Sequence, residues 1–498
     1  MSSHTQHHDS QIPEDEYDDA AMLSRDEAAE EYSADEDTPM YSDDAADDPS
    51  AVPIDIQDDS IAHFAGHTAS IFAIAAHPAH PSIIATGGGD DLAYVWDSAA
   101  PRTSSHAPSA TAADRSASSV APLAQLPDHA DSVSALAFTL PRGRFLCTGG
   151  LDGQVRAWRD TSAEGSGRAW ALAGAAREVD EVNWVAACPA AAHPDVVALG
   201  AADGSVWVYA LGVVDGDAAL AVVAVFALHT AACTAGAWTP DGRLLATVAE
   251  DASLYVWDVW GEAAAAGVLA SPGGNYTVGL TAEDERFRVD GGLYSIAISP
   301  SGGLCAVGGA DGMIRIVGLP RFASETSALP GSRGTGTRGK AGGKGASGSA
   351  SAGQAGQILA SLQAQSDSVE SLAFSDPPLT VLAAASVDGS IVLFDAAHNF
   401  AVKRKIENAH EEEAIIKVEF VKAGQGGTDG WLLTSCGNDG VVRRWDCRGT
   451  TAADNGLVEE WRGHQGGGEG GGVLGFVQSH DRIVTAGDDG IALVFQTS

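Results

Sequence analysis

In eight Gly/Asp-type turns along this 498-residue chain an aspartate stands six residues ahead of an aromatic or large apolar residue. The pairs are Asp90/Trp96, Asp152/Trp158, Asp203/Tyr209, Asp251/Trp257, Asp311/Val317, Asp388/Phe394, Asp439/Trp445 and Asp489/Phe495. Residues 85–97, ATGGGDDLAYVWD, show what the spacing means. Ile83, Ala85 and Gly87 alternate before a Gly/Asp cluster, and Leu92, Tyr94 and Trp96 alternate after it. Period-two alternation on both sides of such a cluster predicts a β-hairpin. The aspartate supplies an acceptor for backbone N–H groups of the turn. A chain that repeats this hairpin every 40–60 residues or so is a repeat protein.

Each unit also opens with a His signal. Gly66-His67, Asp128-His129, Leu228-His229, Ala409-His410 and Gly463-His464 precede five of the hairpins; Arg177-Glu178 takes that place in the third unit, and the fifth and sixth have no His. Gly-His early and Trp-Asp late resembles the WD-repeat family, over residues 60–495 or so, and implies an all-β propeller of four-stranded blades. Eight turns predict eight blades. The resemblance further implies that Asp90, Asp152, Asp203, Asp251, Asp311, Asp388, Asp439 and Asp489 are structural turn residues, tied to the His and the late Trp. Blades three, five and six, lacking parts of that network, are expected to be looser. The strand before Gly-His normally completes the preceding blade. Residues 60–64, SIAHF, have none before them, so they are expected to pair with the last blade, residues 473–495, and close the ring, which removes exposed sheet edges.

Charge divides the chain. The net charge is −39, and residues 1–50 hold 17 acidic residues against Arg25 alone. Residues 1–53 contain little apolar material and are expected to be a disordered acidic tail, either a solubilising segment or a decoy for basic partners. Residues 54–498 form the expected propeller domain. Long loops are expected at 98–122, 261–276 and 318–357, all after the late Trp position and hence on one rim. The last carries Arg321, Arg333, Arg338, Lys340 and Lys344 and reads as a flexible linker, or as a contact for the acidic tail or ribosomal RNA. So acidic a chain repels phosphate backbones, so no direct DNA binding is expected and basic surfaces are its natural partners.

The six cysteines, Cys147, Cys188, Cys233, Cys305, Cys436 and Cys447, form no C-x-x-C pair and read as buried reduced thiols. No apolar run reaches about 18 residues, so neither a signal peptide nor a membrane span is expected. No phosphate-binding loop, nucleophile elbow or zinc-protease helix is present, and no Cys/His set has metal spacing. The expectation is a monomer that is not an enzyme and needs no cofactor or metal.

Family geometry places the turn aspartates and the segments before each first strand on one face. That face collects Asp131, Glu178, Asp180, Glu181, Asp290, Asp367, Glu370, Glu411, Glu412, Glu413 and Glu469, with Glu250 and Asp488 directly before two turn aspartates. Few cations lie among them. The candidate partner-binding residues are Glu250, Asp488, Asp180, Glu181, Asp290, Asp367, Glu370, Glu412 and Glu413, a negative funnel for a basic peptide. Phe72, Trp184, Trp238 and Tyr294, early in the first strands, read as core before site, with one or two near the rim able to stack on an arginine.

An acidic leader, then DDSIAHFAGHTASIFAIAAHP and IIATGGGDDLAYVWD, and the ending TAGDDGIALVF, are similar to the angio-associated migratory cell protein family. Its fungal members are dedicated chaperones of a large-subunit ribosomal protein (eukaryotic L-ten, universal L-sixteen). The resemblance implies capture of that protein's basic N-terminal segment on the acidic face and delivery to the pre-60S particle, in the cytoplasm with the nucleus as a second compartment. The rival classes are a WD-repeat scaffold or ubiquitin-ligase adaptor reading short motifs, and an acidic histone chaperone.

Overall fold

The computed structural model describes residues 57–99, 119–212, 220–322, 354–422, 429–449, 456–466 and 471–497. The acidic segment 1–53, most of 98–122 and 318–357, and Glu469 lie outside them. Eight four-stranded antiparallel sheets make the fold. Blade 1 comprises Ile71–Ala76, Ile83–Gly88, Ala93–Asp97 and Pro122–Leu126, and the order recurs through blade 7. The first strands of successive blades pack side by side around the axis, from Ile71–Ala76 through Val473–Gln478 and back to Ile71–Ala76. The expected eight-bladed propeller is therefore present.

Blade 8 takes its fourth strand from the other end of the described chain. Ala62–Phe64 pairs antiparallel with the last strand, Ala62 opposite Val494 and Phe64 opposite Ala492. Phe64 is fully buried and stacks on Trp96 at 5.1 Å. The expected closure by residues 60–64 is thus made, and its side chain is shared with the core of blade 1.

Second and third strands are flanked on both faces by neighbouring blades, and their sequences follow from that. Ile83–Gly88, Phe145–Gly150 and Leu244–Ala249 are buried at every residue. A strand covered on both sides reads as a continuous apolar run. All six cysteines sit in this interior as free, buried thiols. Burial pushes Cys147 up to about 12, so it stays a protonated, unreactive thiol.

In five blades the His ties turn to sheet. His67 Nδ1 meets Asp90 at 2.9 Å and its Nε2 meets Thr86 at 3.0 Å. In blade 2, His129 Nε2 and Trp158 Nε1 share Thr148 Oγ1, at 2.9 and 3.1 Å. Blade 7 repeats this with His410, Ser435 and Trp445. Gly88 and Gly150 precede two of these turns for a steric reason. A Cβ on either would lie 2.6 Å from the imidazole Nδ1. Blade 6 substitutes Gln365, whose Nε2 donates to the Ser390 carbonyl at 2.9 Å while its Oε1 has no partner. In blade 5 Arg315 is buried, and among the described residues its Nε and Nη1 have no partner and no imidazole reaches Asp311.

Two predictions arise here. Asp90→Ala removes an acceptor for His67 and for the Thr68 amide. It should cost about 1–3 kcal/mol in chemical denaturation. The second concerns acid. Burial holds the imidazoles of His129, His229 and His410 below the ordinary range, His229 at about 4 against 6.5. The folded state therefore binds fewer protons than the unfolded one between these values. Its stability is complete above about pH 6.5 and falls as the pH drops toward 4, by about 3 kcal/mol for His229 alone. Melting curves from pH 7.5 to 4.5 should show this fall; a flat profile would contradict the assignment.

The connection 261–276 is not an open loop. A short helix, Glu262–Ala266, buries Ala263, and Val268 joins it in the core beside Phe287. Among the described residues no helix is long and apolar enough to cross a membrane.

Candidate peptide-binding face

The face is organised by one hydrogen bond repeated eight times. The residue before each turn aspartate donates its amide to the carbonyl of the residue before a first strand. Gly89, Leu151, Ala202, Glu250, Ala310, Val387, Asn438 and Asp488 donate to Ser70, Ser132, Glu181, Ala232, Gly292, Ser368, Ala414 and Gly472. Two rings of residues are thereby fixed around the axial mouth. The next position inward is set by a bulge. In every blade the first-strand register shifts across its second residue: Phe72, Ser134, Asn183, Thr234, Tyr294, Glu370, Ile416 and Leu474. A bulge re-aims the side chain of the residue it leaves unpaired.

The sequence-derived candidates fall into two groups on this frame. Glu250, Asp488, Glu181 and Glu370 occupy the rings and the bulge position themselves. Glu250 and Glu181 are exposed. Asp488 accepts from Ser70 Oγ at 2.5 Å across the seam between blades 8 and 1, and Glu370 accepts from Ser368 Oγ at 2.7 Å. Between Glu250 and Glu370 stands Tyr294, whose hydroxyl donates to the Gly291 carbonyl. Burial first, then the charges of Glu250 and Glu370, push its phenol above the ordinary value.

The remaining candidates lie farther out. Asp180 is exposed beside Glu181. Asp367 turns back to accept the Ser368 amide at 2.7 Å, and Asp290 is paired with Arg288 at 2.8 Å. Glu412 ends a short extra strand, Ala409–Glu412, outside the eight sheets, and Glu413 follows it. Three cations of this face are paired, Arg286 to Asp284, Arg288 to Asp290 and Arg443 to Asp439, while Arg315 is buried and donates to the Arg288 carbonyl. Among the described residues no cluster of His, Cys, Asp and Glu has the geometry to hold a metal ion.

Two aromatic expectations need correcting. Phe72 is not core; it is 46% exposed at the mouth, because the bulge turns it out of the sheet. Tyr294 is half-buried at the same level rather than enclosed. Trp238 is buried, and Trp184 is half-buried beside the axis. Sequence reasoning passed over Phe72, Ile416 and Leu474 as mouth residues. Their distance ahead of the turn aspartate varies, from 15 residues for Leu474 to 18 for Phe72 and 23 for Ile416, so the repeat spacing alone does not bring them to one position.

The WD domain, G-beta repeat family matches residues 58–97, 120–159, 221–258, 286–317 and 356–395. The chain is 25% identical over 476 residues to the ribosome assembly protein SQT1 of Saccharomyces cerevisiae, covering 90% of this chain and 89% of that one. It is 25% identical over 447 residues to the human angio-associated migratory cell protein, covering 88% and 80%. Among solved structures, Chaetomium thermophilum Sqt1 bound to the N-terminus of ribosomal protein L10 is 46% identical, with a TM-score of 0.74 over 88% of this chain and all of that one.

Proposed function

The chain belongs to the Sqt1 family of WD-repeat propellers, and from that membership we propose that it is a ribosome-assembly chaperone for L10. It holds the basic N-terminal segment of that newly made protein on its acidic face and carries it to the pre-60S particle. The observation that carries the reading is the set of carboxylates at the axial mouth, Glu181, Glu250, Glu370 and Asp488, with Arg288 and Arg443 on the same face paired to Asp290 and Asp439. Convergent carboxylates offer Arg and Lys charge-assisted hydrogen bonds, and their summed field speeds encounter. Asp180, Asp290, Asp367, Glu412 and Glu413 extend that field outward.

The work is binding: the segment is shielded from aggregation and stray RNA, and no bond is made or broken. The protein acts as a monomer, in the cytoplasm with passage into the nucleus, without cofactor, DNA or membrane. Affinity purification of the tagged chain from lysate, washed at low and high salt, tests this. One stoichiometric, salt-sensitive ribosomal protein, L10, is the expected companion. A ubiquitin-ligase subunit, or histones, in its place would overturn it.

A further inference from the structure

The bulge residues divide the mouth into two unlike arcs. In blades 2, 3 and 4 they are polar and stitched to the next blade. Ser134 Oγ donates to the Val182 carbonyl at 2.5 Å, Asn183 Nδ2 to Cys233 at 3.0 Å and Thr234 Oγ1 to Leu293 at 2.6 Å. In blades 5 to 8 and 1 they are Tyr294, Glu370, Ile416, Leu474 and Phe72. There the seam of blades 5 and 6 is closed instead by Ser295 Oγ, bonded to the Val369 carbonyl at 2.6 Å. Of the bulge side chains of this arc Phe72 is exposed, and Tyr294, Glu370, Ile416 and Leu474 are half-buried at the same level. Glu250 stands at one end of it, Glu370 lies within it, and Asp488 lies at the seam between the blades of Leu474 and Phe72. Beside Phe72 the channel holds a cavity of about 250 Å³, lined by Ile74, Trp184, Phe476 and Lys417. That ammonium is taken by the Phe476 carbonyl at 2.8 Å and by Glu419 at 3.0 Å, so it does not neutralise the acids above.

An apolar strip with carboxylates interspersed along it fits one kind of occupant. We propose that the client segment carries an aromatic or branched aliphatic anchor flanked by cations. The anchor enters the mouth against Phe72, Ile416 and Leu474, while the cations reach Glu250, Glu370 and Asp488. This rests on the client reading above and adds to it: charge sets encounter and the anchor sets register. Glu181, on the stitched arc, contributes to the field without touching the anchor. An enclosed apolar side chain at the centre of an interface, ringed by polar contacts, is where binding energy concentrates.

The probe is the N-terminal peptide of ribosomal protein L10, fluorescently labelled, alongside peptides in which each apolar or aromatic residue is replaced in turn by serine. They are titrated against wild type, Phe72→Ser and the double variant Ile416→Ser/Leu474→Ser. Each variant should bind the native peptide about tenfold more weakly or worse, with an unchanged dependence on salt. One serine peptide should lose about as much on wild type and little more on Phe72→Ser, the coupling expected of groups in contact. Unchanged melting temperatures are the control for folding. If wild type binds in a salt-sensitive way but both variants and every serine peptide bind within about twofold of native, the anchor is wrong and the charge reading stands. No binding of the native peptide by wild type would overturn both.

Discussion

Removing residues 1–64 is expected to lower stability by at least about 5 kcal/mol, on the order of the whole margin of a typical domain, and to leave an aggregating chain. Removing residues 1–50 should shift the melting temperature by no more than a few degrees. The difference lies in three residues. Ala62–Phe64 is the fourth strand of blade 8 and, with the Ile61 amide that donates to the Val494 carbonyl, pairs the outer edge of the last strand. Its loss opens a sheet edge, and unpaired edges template aggregation. It also deletes Phe64, which fills the space against Trp96 and Tyr94. Losing a buried phenylalanine alone costs about 3–5 kcal/mol. Residues 1–50 add charge and little apolar surface. Thermal melts and light scattering of the two truncations measure this; equal melting temperatures would contradict closure by the N-terminal strand.

The second large effect is on binding. Glu250→Lys with Asp488→Lys should weaken the L10 peptide by about 30- to 1,000-fold, roughly 2–4 kcal/mol. A single exposed ion pair contributes only about 0–1 kcal/mol. Reversal does more than remove two pairs, because each lysine repels the cations it replaces attraction for. It also places positive charge at one end of the apolar arc and within it. Glu250 is exposed, so its reversal should leave folding intact. Asp488 also accepts from Ser70, and that bond is worth about 1 kcal/mol. Asp488→Asn keeps an acceptor for Ser70 and separates the charge from the bond.

Much of the fold was legible because the repeat carries its own register. Each turn aspartate fixes a hairpin, and the same position fixes the residue before it, which is how Glu250 and Asp488 stand out from the other acids in a chain of net charge −39. Closure was legible because residues 60–64 had no blade of their own. The mouth was harder to read. Phe72 alternates with Ile71 and Ala73 as a core residue would, and only the bulge, a backbone irregularity without a composition signal, turns it outward. Asp290 looked like a free acid until folding set Arg288 beside it. Gln365 does part of the work of a missing His, but glutamine at that place has no motif to announce it. The helix Glu262–Ala266 looked like an open loop since alanine and glycine hide the one buried contact, Ala263.

The most direct test of the central claim is calorimetric titration of the full chain with the L10 N-terminal peptide, for wild type and for Glu250→Lys/Asp488→Lys, at about 50 and 300 mM salt. One peptide per chain is expected on wild type, weaker at high salt, with the double variant far weaker at both and its melting temperature nearly unchanged. A folded double variant that binds as tightly as wild type would show that the client is held somewhere other than the acidic mouth.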